Sequence, residues 1–144
     1  MSLVYAIQAK WAATNALTTL IPAARFFTGR APKAAGGGPQ PLPYATISIP
    51  DTDVKVTTNA ALFRSHTVRF EYWVNSFAEG EAIELALEST VENWSTNLAG
   101  GHGHLRELAP GPCQRQQEED PANGRYWHFI FDFTAYIDRV RRAS

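Results

Sequence analysis

The chain has 144 residues, 44% of them hydrophobic and 12% aromatic, and a chain of this length buries about 68–70% of its unfolded surface, enough for one core in one domain. Its net charge of −1 argues against a general nucleic-acid binder, which carries a basic excess. Cys113 is the only cysteine, so no disulfide closes within the chain and secretion gains no support from composition.

No apolar run approaches the roughly 18 residues that cross a bilayer, which predicts a soluble protein with no membrane partner. The charges are unevenly placed. Residues 1–78 hold seven Lys/Arg against three Asp/Glu, residues 79–98 hold five glutamates and no basic residue, and the sequence closes with Arg139, Arg141 and Arg142. Patches of opposite sign suit contact between copies of one chain.

In chain order, residues 3–20 place Leu3, Ile7, Trp11, Thr14, Leu17 and Ile21 at helical spacing before Pro22, which predicts one helix laid over a sheet. Lys10, Thr14, Asn15, Thr18 and Thr19 interrupt this stretch, so it reads as a helix and not as an export signal. Residues 25–28 (Arg-Phe-Phe-Thr) suit a short strand. The segment 29–42 holds four glycines, three prolines, Arg30 and Lys33 with no periodicity, and reads as a flexible loop. Gly36, Gly37 and Gly38 lack the Gly-Lys-Ser/Thr ending of a phosphate cradle, so the loop reading stands.

Residues 43–49 and 54–58 alternate around Pro50-Asp51, as a hairpin does. After a connection at 59–63, residues 65–75 alternate strongly. Val68, Phe70, Tyr72 and Val74 share one face; Thr67, Arg69, Glu71 and Trp73 share the other. Ser76 followed by Glu79 is a capping-box pattern. It opens a predicted helix over 76–98, with Ile83, Leu87, Val91, Trp94 and Leu98 as its buried stripe and Gly100-Gly101 ending it. Beside that stripe run Glu81, Glu84, Glu88 and Glu92. Like charges three and four apart repel by about 0.2–0.5 kcal/mol per pair. The stripe is either a solvated face or the surface that meets Arg139, Arg141 and Arg142, or Arg30 and Lys33, of a neighbouring copy.

Gly101-His102-Gly103-His104 reads as a turn, and residues 105–117 as a polar strand whose Pro110 and Pro112 place it at a sheet edge. Residues 118–124 then turn the chain, Asn123-Gly124 being a hairpin signal. The last strand, 125–138, is the most patterned stretch. Trp127, Phe129, Phe131, Phe133, Ala135 and Ile137 point one way, and Tyr126, His128, Ile130, Asp132, Thr134 and Tyr136 the other. The expected fold class is α+β, an antiparallel sheet with two helices packed on it.

No catalytic signature stands out. His102 and His104 sit in a glycine turn without a recognised zinc spacing, so no metal and no cofactor is expected. His128, Asp132 and Tyr136 share a strand face, read either as polar residues on the open side of the sheet or as a pocket acid/base set. Nothing local lowers the pKa of Cys113, which reads as a bystander. The four tryptophans, Trp11, Trp73, Trp94 and Trp127, read chiefly as core, with Trp73, opposite Phe70 and Tyr72, a candidate interface anchor.

The helix over 3–20, Pro43-Tyr44-Ala45-Thr46-Ile47-Ser48-Ile49 after a loop, Thr67-Val68-Arg69-Phe70-Glu71-Tyr72-Trp73-Val74 running into Gly80-Glu81-Ala82-Ile83-Glu84, and a terminal strand together resemble the tail terminator (tail completion) proteins of long-tailed bacteriophages. The resemblance spans nearly the whole chain and lies in element order, not in a signature motif. It implies a non-enzymatic virion protein, assembled in the host cytoplasm, whose hexameric ring caps the tail tube in the neck. There it ends polymerisation of the tail tube protein and joins a head-completion or connector protein, with DNA passing through the ring. On that expectation Glu81, Glu84, Glu88, Glu92, Trp73 and the three C-terminal arginines form the subunit interface, and Arg30, Lys33 and Gly36–Gly38 reach an adjacent ring. Two other readings stay open: a small-molecule binder or enzyme resembling the nuclear-transport-factor-2-like superfamily, and another neck ring component such as a head-closure protein.

Overall fold

The computed structural model describes residues 2–34, 36–50, 63–101 and 103–138. Helix α1 (Ser2–Ala12) and the short helix α2 (Asn15–Thr18) lead through a 3-10 turn (Ala23–Arg25) into β1 (Phe26–Thr28), β2 (Tyr44–Ser48) and β3 (Phe63–Val74). Helix α3 (Phe77–Val91) follows, then β4 (Thr96–Leu98), β5 (Gly103–Asp120) and β6 (Gly124–Asp138). Among the described residues six strands form one sheet in the order β1-β2-β3-β6-β5-β4. Every pairing is antiparallel except β1 with β2. The mixed α+β class expected from the sequence is what the chain adopts.

The period-two patterns fix the sheet faces. Val68, Phe70, Tyr72 and Val74 of β3 and Phe129, Phe131, Phe133, Ala135 and Ile137 of β6 are all buried. They lie in register, Phe70 opposite Phe131 and Tyr72 opposite Phe129. Leu3, Ile7, Trp11 and Leu17 from the N-terminal helices, Ile21 from the bend after them, and Ile83, Leu87 and Val91 from α3 close over that face. The Trp11 indole N–H donates to the Ile21 carbonyl at 3.0 Å, so the ring is buried with its polar atom satisfied.

One predicted helix is two. The apolar residues of the stripe from Leu3 to Ile21 are buried as expected, but the helix breaks at Thr14, which is half-buried and takes an extended conformation with its hydroxyl donating to the Lys10 carbonyl at 2.6 Å. Thr and Asn compete locally with helical hydrogen bonds, and Thr14-Asn15 does so here. The α3 N-terminus follows the sequence. Ser76 Oγ accepts from the Glu79 N–H at 3.2 Å, while the Glu79 carboxylate takes the Asn75 N–H at 3.1 Å, a cap that contributes about 1 kcal/mol.

The α3 C-terminus does not. The helix ends at Val91, not at residue 98: Glu92 turns extended, Asn93 takes a left-handed φ of 58°, and Thr96–Leu98 pair with Gly103–Leu105. Trp94 and Leu98 keep the spacing of a helical stripe yet reach the core from a turn and a strand. The strand β5 runs through Pro110 and Pro112 because β4 covers only its first three residues, leaving the missing N–H groups on the sheet edge. Its register slips between Leu105 and Glu107 and between Pro110 and Cys113. At the second slip a Cβ on Gly111 would stand 2.9 Å from the Asp132 carbonyl oxygen. The hairpin turn is tighter than expected, Asp120 Oδ1 accepting the Ala122 and Asn123 N–H groups at 2.9 and 2.7 Å. The second arm of the predicted hairpin, 54–58, and the connection that follows lie outside the described residues.

Candidate functional site

The two faces of the sheet offer different chemistry. On the face away from the helices, cross-strand pairing sets Tyr44 of β2, Trp73 of β3 and His128 of β6 in one row. Trp73 stacks on both neighbours, 4.6 Å from the Tyr44 ring and 4.4 Å from the His128 ring, each at 16°. Trp73 is therefore covered on both faces and offers no free ring face to a flat ligand. Its end is ionic: His128 Nε2 lies 2.9 Å from Glu71 and Nδ1 lies 2.8 Å from Glu118, whose carboxylate also takes the Gln116 amide at 2.6 Å. Burial disfavours the imidazolium, but the two carboxylates outweigh it and raise the His128 pKa above its ordinary value. Burial raises the Glu118 pKa in the opposite sense, and the His128 and Gln116 hydrogen bonds bring it below the usual carboxylate value.

His128, Asp132 and Tyr136 share the predicted face without forming a pocket set. Asp132 accepts from Arg69 at 2.8 and 3.1 Å, His128 is clamped on both nitrogens, and Tyr136 faces solvent. With both ring nitrogens held, His128 ties three strands together and has no free nitrogen for proton transfer. Cys113 is half-buried, and burial with the nearby Glu84 carboxylate pushes its thiol pKa up to about 12, so it is protonated and unreactive near neutrality. His104 Nδ1 lies 3.0 Å from the Asn97 side-chain oxygen; His102 lies outside the described residues. Among the described residues no group of three or more His, Cys, Asp or Glu could hold a metal ion, and no helix is long and apolar enough to cross a membrane.

The helix side carries the predicted acidic stripe, and the structure divides it. Glu84 is engaged within the chain: the Arg115 guanidinium of β5 donates to its two oxygens at 2.6 and 2.8 Å and lies over the Phe129 ring at 5.7 Å. Glu81 faces solvent nearer the start of α3. Glu88 and Glu92 instead line a groove of about 840 Å³ between the C-terminal half of α3 and β5, together with Glu107, Leu85, Trp94 and Pro110. Arg106, the one basic lining residue among the described residues, lies 3.8 Å from Asp138. Arg139, Arg141 and Arg142 lie outside the described residues.

Arg30 and Lys33 are exposed in the loop after β1, and Gly36 and Gly37 take φ of 91° and 86° with open space around them. Arg25 anchors the loop's far end by donating to the Pro41 and Pro43 carbonyls, the latter at 2.7 Å. Arg115, Glu71 and Glu118 escape a reading of the sequence because their partners stand 31 residues or more away, or across a strand register that local pattern does not encode, and Glu107 escapes it because the groove it lines is formed by tertiary packing.

No family model matches the chain, and no curated protein matches it. Among solved structures, the fold is similar to that of a chain in the virion of a native gene transfer agent (GTA) particle, at 17% sequence identity and a TM-score of 0.64. The match covers 92% of this chain and 94% of that one, so the likeness runs through nearly the whole of both chains.

Proposed function

We propose that the chain is a structural protein of a phage-like virion, the tail terminator of its neck: a ring that caps the tail tube, ends tube polymerisation and joins the tail to a head-completion or connector protein. The observation that carries this reading is the end-to-end fold likeness to a chain of a gene transfer agent virion, which agrees with the element order that resembles the tail terminator proteins. A ring of identical subunits needs a heterologous contact, one patch against a different patch on the next copy. The groove and acidic residues on the α3 side and the Trp73 row on the opposite sheet face are surfaces of different character on one small domain.

On this reading the protein is not an enzyme, needs no cofactor and works as a homo-oligomer, a hexamer, in the virion after assembly in the host cytoplasm. The loop bearing Arg30, Lys33 and Gly36–Gly38 faces an adjacent ring, and DNA passes through the central opening. Electron microscopy of the purified full-length protein, with its mass in solution from light scattering, tests the reading. Six-fold rings that block elongation of tail tubes in vitro are expected. A monomer at high concentration overturns it, and rings that bind the head-completion protein but leave tube growth unchanged would instead mark a head-closure component.

A further inference from the structure

We propose that the groove between α3 and β5 receives the arginine-bearing segment 139–144 of a second copy, so that each subunit grips the next through Glu88, Glu92 and Glu107. This rests on the ring reading above and supplies that ring with its subunit contact.

The groove is built for a cation. Glu88 and Glu92 fall at the C-terminal end of α3, where the exposed carbonyls are already negative and where no basic residue stands in the last turn. They are four residues apart, a spacing that sets like charges side by side. Glu107 adds a third carboxylate from β5. Among the described residues none of the three has an ion-pair partner, in contrast to Glu84 with its Arg115. Arg106 offsets them only in part: against three carboxylates it is a single cation among the described lining residues, and it lies 3.8 Å from Asp138. Apolar surface adjoins the charge: Leu85 is 67% exposed on the groove wall, beside Trp94 and Pro110.

The occupant follows from charge and from chain direction. The densest basic run in the sequence is Arg139-Val140-Arg141-Arg142, whose central valine suits the apolar wall. β6 ends at Asp138, opposite His104 of an antiparallel β5. The chain therefore leaves Asp138 heading away from Arg106–Pro110. Returning to its own groove would take a reversal of the chain, whereas a segment continuing outward is directed at a neighbour.

The test compares full-length protein with four variants by sedimentation velocity: a chain ending at Asp138, Glu88→Arg/Glu92→Arg, Arg141→Glu/Arg142→Glu, and all four reversals combined. Circular dichroism melts confirm that each is folded. Truncation and either one-sided reversal should raise the association midpoint roughly tenfold or more, and the full-length assembly should weaken as salt rises. The combined variant should regain assembly. An equimolar mixture of the two one-sided variants should regain it too, because each groove then meets a tail of opposite sign on the other molecule. If the tail folded back on its own chain, mixing would restore nothing, and the proposal fails. It also fails if truncated protein assembles like the full chain, which leaves the ring intact with a different contact. A full-length protein that never assembles defeats the ring reading itself.

Discussion

Replacing Gly80 by alanine should destabilise the protein although alanine is the better helix former. Gly80 lies in the first turns of α3, and a Cβ there would overlap two carbons of the Phe129 ring and stand 2.8 Å from a third. Phe129 has no room to yield: it is fully buried, stacked on Tyr72 at 5.1 Å and packed against Phe77 at 5.6 Å. Overpacking of this kind costs about 1–3 kcal/mol, and contacts this short place the substitution near the upper end. The gain in helix propensity is about 1 kcal/mol. The difference, about 2 kcal/mol, corresponds to a Tm lower by about 4–8 °C for a domain of this size. Thermal melts of Gly80→Ala, Phe129→Leu and the double variant form the assay. Leucine vacates the volume the new methyl needs, so the double variant should be more stable than the sum of the two singles, by about 1 kcal/mol. A Gly80→Ala protein that melts at or above the parent temperature, or strict additivity in the cycle, would refute the close packing of α3 on β6.

Three further outcomes are expected. Arg115→Ala removes the contact with Glu84 and the cation over Phe129 and Phe77, and should cost about 1–2 kcal/mol in chemical denaturation; Arg115→Lys should recover only part, and full recovery would show that charge alone matters. His128 has a folded-state pKa raised above the ordinary 6.5, so its stabilisation is fully present below that value and is lost as pH rises through the folded pKa, while Glu118, depressed from 4.5, contributes above that value and loses its share as pH falls. The Tm difference between the parent and His128→Gln should thus be larger at pH 6 than at pH 9, and an equal difference at both would contradict the clamp. Cys113, with its thiol at about 12, should react with iodoacetamide at pH 8 far more slowly than a free thiol and reach the free rate only in denaturant; prompt labelling of the folded chain would count against its burial beside Glu84.

The two strongest alternating stretches determined most of the architecture unaided. Period-two patterning can bury only one face, so the partition of β3 and β6 into core and outer residues was fixed by the order of their side chains. The Ser76–Glu79 cap and the glycine-bearing hairpin at 120–124 were equally local, and equally legible. Helix ends were not. The break at Thr14 and the stop at Val91 depend on what the following residues pair with: Thr96–Leu98 became a strand because Gly103–Leu105 offered an edge, a fact of three dimensions. The candidate surfaces divide the same way. That α3 carries a row of glutamates is written in the sequence; that Arg115 claims Glu84 while Glu88 and Glu92 are left facing a groove with Glu107 was decided by the β5 register and its two bulges. Spacing along a helix says which charges are neighbours, but only the packing of distant strands says which of them find a counter-charge.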